Sequence, residues 1–216
     1  MDDSDAGVSD ADIISESLLN GERFAIVYRR HGQRIFGYMW RRVGTAADDL
    51  VADVFCSAFE QRDRFDLSRP SALPWLYGIA THRVSRHWRT HQRRSRATLR
   101  IAGRSSTSHP LDVDSLIDRV AATGATSELR DWLAALDPLS LDILVLAAWE
   151  ELTQSEIAVA LDIPVGTVKS RMSRLRSKNL EPLRQHWATT SRHDNDAANL
   201  RIVTATIASP HGDLLS

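Results

Sequence analysis

Thr153-Gln154-Ser155-Glu156-Ile157-Ala158-Val159-Ala160-Leu161-Asp162-Ile163-Pro164-Val165-Gly166-Thr167-Val168-Lys169-Ser170-Arg171 is the stretch on which the reading of this chain turns. Thr153 and Glu156 have capping-box spacing and open a short helix running through Ala160. Asp162-Ile163-Pro164 makes the turn, and a second helix begins near Val165 and runs to about Leu183. These are helix-turn-helix proportions. Ile157, Ala158, Leu161 and Val168 would pack the pair together, with the small Ala158 permitting close approach. Lys169, Ser170, Arg171 and Arg174 sit early in the second helix, the part that enters the major groove in this geometry. Arginine there can chelate guanine O6 and N7, while Lys and Ser reach phosphates or bases. Gly166 and Thr167 leave room for a phosphate at the exposed N–H groups of the helix start. The plain alternative is a helical hairpin whose basic face is merely wet.

Upstream, Leu129, Trp132, Leu133 and Leu136 recur at helical spacing and end at Asp137-Pro138, and Leu141, Leu144, Val145, Ala148 and Trp149 form another helix. Four helices over 128–187 thus make one small domain. Between Ser95 and about Ser127 the periodicity dissolves into Gly103, a Ser-Ser-Thr-Ser run, Pro110 and Gly124, which reads as a flexible linker over 95–127. Its middle is acidic (Asp112, Asp114, Asp118), with one short helical turn expected around Leu116 and Ile117.

Residues 22–94 read as a second helical unit. Phe24, Val27, Tyr28, Ile35, Met39 and Val43 give one apolar stripe over about Glu22 to Val43, stopped by Gly44. Thr45 to Asp48 has the form of a capping box and opens a helix of about fourteen residues with Leu50, Val51, Val54, Phe55, Ala58 and Phe59 on its apolar face. A polar loop from Arg64 to Leu73 follows. Pro74 suits the first turn of a third helix. Leu76, Ile79, Ala80, Val84 and Trp88 form its core stripe, with Trp75, His82, Arg86, Arg89 and Arg93 on another face. The segment 1–21 is acidic, with every charge from Asp2 to Glu22 negative, and its composition favours disorder. The tail 188–216 is polar and of unassigned role, and the β-branched run from Arg201 to Ala208 has strand character without a visible partner.

The formal net charge of -1 conceals opposed patches. From Arg83 to Arg104 every charge is basic, and a second cluster follows at Lys169, Arg171, Arg174, Arg176 and Lys178. Each begins inside an expected helix, as a phosphate-facing surface requires, although either run alone would also fit a solvated face. Hydrophobic residues make up 43% of the chain, enough for packed cores, and no apolar run is long enough to span a membrane. Cys56 is the only cysteine, which excludes an intrachain disulfide and a cysteine-rich zinc site and suits a reducing, cytoplasmic compartment. No signal-peptide pattern is found at the N-terminus.

The stretch Ile157 to Arg171 resembles the region 4 signature of extracytoplasmic-function (ECF) sigma factors of the sigma-70 family. Asp48-Asp49-Leu50-Val51-Ala52-Asp53-Val54-Phe55, Phe65-Asp66 and Trp75-Leu76-Tyr77-Gly78-Ile79-Ala80 resemble region 2, in the right order. The resemblance covers about residues 22–94 and 128–185. It implies an all-α fold of two small helical domains, a region 2 bundle and a region 4 four-helix domain, joined by a flexible linker. It implies a factor that binds core RNA polymerase at its clamp and flap regions and selects promoter DNA. Asp49, Leu50, Asp53, Val54 and Phe55 would then meet core polymerase. Phe65, Asp66, Trp75, Arg83, Arg86 and Arg89 would hold the minus-10 element, and Thr167, Lys169, Ser170, Arg171 and Arg174 would read the minus-35 element. For Phe55 and Trp75 an ordinary core role stands equally open. The resemblance implies no catalytic residue, cofactor or metal, and admits an anti-sigma factor as a further partner. The chain departs from the family where Thr81 and His82 replace the usual Arg-Asn pair and where Leu141 replaces a common basic residue.

About thirty linker residues can extend to roughly 110 Å at about 3.3 Å each, while elements seventeen base pairs apart lie roughly 60 Å apart. One chain can therefore reach both. Two rival readings remain. A conventional helix-turn-helix regulator with an N-terminal effector or dimerisation domain explains 128–185 but not the acidic helix at 48–59. A metal-dependent phosphodiesterase would use the i, i+4 pair Asp49 and Asp53 but lacks converging further ligands.

Overall fold

The computed structural model describes residues 7–101, 131–133, 135–148 and 150–177, and these are helical throughout apart from turns. The elements are α1 (Asp10–Ser17), α2 (Ala25–Val43), α3 (Ala47–Glu60), α4 (Leu73–Ile101), α5 (Pro138–Ala148), α6 (Gln154–Leu161) and α7 (Val165–Ser177), with short 3-10 turns before α2 and at both ends of α3. Residues 102–130, with the expected turn at Leu116 and Ile117 and the start of the expected helix at Leu129, residue 134, Trp149, and everything from 178 on, including the tail 188–216 and the Arg201–Ala208 run, lie outside the described residues.

Helices α2, α3 and α4 form the N-terminal bundle. Ile26, Val27, Ile35 and Met39 of α2 pack on Val51, Val54 and Ala58 of α3 and on Leu76, Ala80 and Val84 of α4, and all are buried. Gly44 ends α2 with φ 59, in the positive range where a Cβ would be strained. Two expectations need correction here. The capping box at Thr45–Asp48 does not form: α3 begins with Ala46 as its cap residue and no side-chain cap bond, because a 3-10 turn over Gly44–Ala46 carries the chain directly into the helix. The third helix does not stop near Ser95 but continues to Ile101, since nothing between them removes an N–H or demands a non-helical backbone.

The N-terminal segment also differs from the disordered strand of charge expected for 1–21. Ser9 caps α1 by accepting from the Asp12 N–H, and Ile13 and Ile14 are completely buried against the bundle. Asp10 explains the anchoring. Its carboxylate accepts from Arg30 Nη1 at 2.8 Å, pairs with His31 Nε2 at 2.6 Å and accepts the Ala72 N–H at 2.9 Å. Its own N–H reaches Pro70 O at 3.1 Å. One short helix thereby ties α2 to the loop that precedes α4.

In the C-terminal unit α5 is buried from Ser140 to Ala148. The capping box of Thr153 and Glu156 forms at the start of α6. Asp162 adopts a left-handed conformation, φ 51, and the Ile163 N–H returns to Ala158 O at 3.0 Å, closing the helix end in the Schellman manner. Val168, Met172 and Leu175 of α7, at spacings of four and three, face inward. The two units are in direct contact, with α6 lying along α4.

Candidate nucleic-acid interface

Helix α7 has an inner and an outer side. With Val168, Met172 and Leu175 buried, Lys169, Ser170, Ser173 and Arg174 project outward, and Val165 and Gly166 are exposed at the helix start. Thr167 is half-buried. Arg171 behaves differently from its neighbours. Its Nη1 lies 2.7 Å from Asp137 Oδ1 and 3.0 Å from Ser140 Oγ, so the guanidinium ties α7 to the start of α5. Asp137 also accepts the Ser140 N–H at 3.2 Å and its hydroxyl at 2.6 Å. Burial opposes ionisation of Asp137, but the Ser140 bonds and the Arg171 charge outweigh it and hold the carboxyl below its ordinary range. Ser173 escaped the sequence reading because a serine carries no charge signal; only the helical register set by Val168 and Met172 brings it to the outer face.

On the N-terminal unit, α3 presents Asp48, Asp49, Ala52, Asp53, Cys56, Phe59 and Glu60 to solvent, with Leu50 half-buried. Val54 is wholly buried and Phe55 nearly so, its ring 4.9 Å from that of Tyr28 in an edge-to-face pair. Both therefore pack the bundle. The outward face is an acidic stripe with a small apolar margin.

The loop before α4 is folded by its own side chains. Asp66 accepts from the Ser68 N–H at 3.1 Å, the Ser68 hydroxyl at 2.7 Å and Arg69 Nε at 3.0 Å. The Ser68 bonds, joined by Arg69, lower the Asp66 carboxyl although it is exposed. Leu67 stands about half exposed at the tip, a residue that periodicity does not single out. Phe65 is buried beneath the loop with its ring 5.2 Å from that of half-buried Trp75. Along α4, Arg86 and Arg89 are exposed, whereas Arg83 bends toward α3, donating to Ser57 Oγ and lying 4.0 Å from Asp53. His82, at the departure from the family pattern, is exposed. Among the described residues no three His, Cys, Asp or Glu side chains gather as metal ligands, and no helix is long and apolar enough to cross a membrane.

This geometry defines a two-unit helical protein with an exposed cationic helix face on α7 and an exposed acidic face on α3. Comparison with known proteins places it. The Sigma-70 region 2 family model matches residues 27–94 and the Sigma-70, region 4 model matches residues 126–178, together more than half of the chain. ECF RNA polymerase sigma factor SigW of Bacillus subtilis is 27% identical over 169 residues, covering 76% of this chain and 90% of that protein. ECF RNA polymerase sigma factor RpoE of Cereibacter sphaeroides is 27% identical over 167 residues, covering 76% and 86%. Among solved structures, CnrH in complex with the cytosolic domain of CnrY matches with a TM-score of 0.53 and 27% identity, over 78% of this chain and 93% of that one. The chain belongs to the sigma-70 family and is a promoter-recognising sigma factor of the ECF type. The region 2 match overturns the alternative of a conventional regulator with an effector or dimerisation domain, because 27–94 is occupied by the polymerase-engaging module.

Proposed function

We propose that this sigma factor divides promoter engagement among three exposed surfaces. The acidic stripe of α3, with Asp49 and Asp53 at its centre and half-buried Leu50 at its edge, docks on a basic surface of the core polymerase clamp. Val54 and Phe55 serve that surface from beneath by fixing the helix. The second surface is the Asp66 loop and the exposed arginines of α4. Arg86 and Arg89 track phosphates of the minus-10 element, and the loop receives an unstacked base, with Leu67 as an apolar wedge at its rim and the Phe65–Trp75 pair as its floor. Arg83 positions α4 on α3. The third surface is the outer face of α7: Lys169, Ser170, Ser173 and Arg174 enter the major groove of the minus-35 element. The N–H of Gly166 takes a phosphate there, while the Thr167 N–H is held by Pro164 O at 2.8 Å. Arg171 holds the reading helix at its angle.

The observation that carries this reading is the α7 register, which buries Val168, Met172 and Leu175 and leaves a cationic outer face at the start of the helix. Nucleotide addition belongs to the polymerase, and this chain supplies no catalytic residue, cofactor or metal. It works in the cytoplasm, where the polymerase is. A similar protein, CnrH, has been solved with the cytosolic domain of CnrY bound, which supports an inhibitory protein partner of the anti-sigma kind here. The deciding experiment is in vitro transcription from a promoter library with purified bacterial core polymerase. Selective starts that depend on Arg174 and on Asp53 support the assignment. Core that starts no more selectively with the chain than without it refutes it.

A further inference from the structure

Helix α1 stands before the stretch that the Sigma-70 region 2 model matches, which begins at residue 27. It is nonetheless built into the bundle. Ile13, Ile14 and Ser17 are completely buried, and Asp10 is nearly so. The two ends of α1 grip the two ends of one loop. At the first turn the Asp10 N–H donates to Pro70 O at 3.1 Å, and the Asp10 carboxylate accepts the Ala72 N–H at 2.9 Å. Ser71 is thereby held on both sides. At the last turn Ser17 O accepts from Arg62 Nε at 3.3 Å. Arg62 opens the 3-10 turn that leads into Phe65, and its guanidinium lies 3.8 Å from the centre of the Phe59 ring of α3. The Asp66 turn and exposed Leu67 are strung between these two points.

A helix is a rod of fixed length. Asp10 and Ser17 lie about 10–11 Å apart along it, at about 1.5 Å per residue. That length sets the span between the loop ends, which a polar loop does not set for itself. Sites carried on loops are imprecise unless neighbouring contacts lock them, and order lost on binding is subtracted from affinity. The Asp10 carboxylate is itself fixed by α2, through Arg30 Nη1 at 2.8 Å and His31 Nε2 at 2.6 Å. Stability alone does not call for this charge. A well-packed apolar side chain would serve about as well, but it would leave the Ala72 N–H, and with it the loop end, unheld.

We propose that α1 is a strut for the minus-10 loop and that Asp10 is a positioning residue for base capture, holding the loop through Pro70 and Ala72 in the shape that receives an unstacked base. The inference rests on the reading that this loop takes a minus-10 base. With the strut in place, the Leu67 rim and the Phe65–Trp75 floor keep one separation before DNA arrives. Without it, the Asp66–Ser68–Arg69 turn still forms, because its bonds are local. That turn is then no longer set at one distance from Trp75 on α4. The outward faces of α3 and α7 lie elsewhere and keep their own roles.

The test measures binding of holoenzyme, made with the full chain, to a single-stranded minus-10 oligonucleotide from a promoter at which it starts. The same oligonucleotide with an abasic site at each position in turn is the comparison. The ratio of the two affinities at the most sensitive position reports base capture. In Asp10→Ala that ratio should fall about fivefold or more, the scale of one stacked base. Asp10→Asn keeps a carbonyl oxygen for the Ala72 N–H and should stay within about twofold of the parent. Arg62→Met releases the other end of the strut at a half-buried position, and it should lower the ratio as Asp10→Ala does. Melting curves and core association are recorded for all three. A role confined to bundle stability would lower the amount of active holoenzyme and weaken every oligonucleotide alike, leaving the ratio unmoved. A parental ratio in Asp10→Ala or in Arg62→Met would overturn the strut, as would an asparagine variant no better than alanine. A parent holoenzyme indifferent to every abasic site would remove the base-receiving loop itself, and the strut with it.

Discussion

Arg171 and Arg174 differ by three positions in sequence and should differ in kind when each is replaced by alanine. Arg171 makes charge-assisted bonds of 2.7 Å to Asp137 and 3.0 Å to Ser140 and is about one quarter exposed, against about half for Asp137. Bonds to charged groups contribute about 1.5–3 kcal/mol when shielded, and screening at this exposure reduces that to about 1 kcal/mol. Asp137 keeps its bonds to Ser140 after the change, so α5 retains its cap. A loss of about 1 kcal/mol lowers the melting temperature of a domain this small by about 4–8 °C. Arg174→Ala should leave the melt within about 0.5 kcal/mol, as surface changes do, and cost about 1–3 kcal/mol at the base it contacts. The assay pairs circular-dichroism melts with competition binding of holoenzyme to promoter fragments substituted singly across the minus-35 element. Base preference flattened by Arg171→Ala with an unchanged melt would refute the division of labour on α7.

Asp10 should confer acid sensitivity on α1. Burial opposes its ionisation, but the bonds from His31 and the Ala72 N–H, with Arg30, bring its pKa down to about 2. Because the folded value lies below the ordinary one, its contribution is complete above about pH 4 and fades toward pH 2; Asp10→Asn should flatten stability over that range in acid titrations followed by fluorescence. On α3, Asp53→Lys should weaken association with core polymerase in a pull-down while leaving the fold intact. Phe55→Ala, at a nearly buried ring, should cost about 3–5 kcal/mol of stability in urea unfolding. Arg86→Ala and Arg89→Ala should each reduce the slope of log affinity against log salt by about 0.7–0.9, the loss of one phosphate contact; an unchanged slope would remove them from the DNA path.

Much of the architecture was legible because helices announce themselves by period. The stripe from Phe24 to Val43, the run Leu50–Phe59 and the Thr153–Glu156 box each lie where a helix forms. The errors share one cause: local pattern does not report tertiary neighbours. Asp10 looked like one acid in an acidic N-terminal segment, yet it is the buried hub of four contacts. Arg83 and Arg171 looked like members of phosphate-facing ladders. Each lies a helical step from an exposed cation, but each bends to a carboxylate or hydroxyl on a neighbouring helix, and sequence spacing carries no record of that neighbour. For Val54 and Phe55 the family resemblance implied a partner surface while the apolar stripe equally allowed a core role, and the packing of α3 turns both inward.

The formal charge of -1 gains a different meaning once the pairs are located. A free protein with two strongly cationic faces would bind any nucleic acid in the cell, since phosphate attraction is indifferent to sequence. Several arginines are instead spent within the fold: Arg34, Arg41 and Arg42 of α2 on Glu150 and Asp142, Arg83 on α3 and Arg171 on Asp137. Among the described residues, Arg86, Arg89 and Arg93 on α4 and Lys169 and Arg174 on α7 remain exposed. Two weak surfaces, each too small to hold DNA alone, gain strength when a polymerase holds both at the right separation, because the second contact then forms at high effective concentration. Selectivity for promoters then comes from spacing as much as from base contacts.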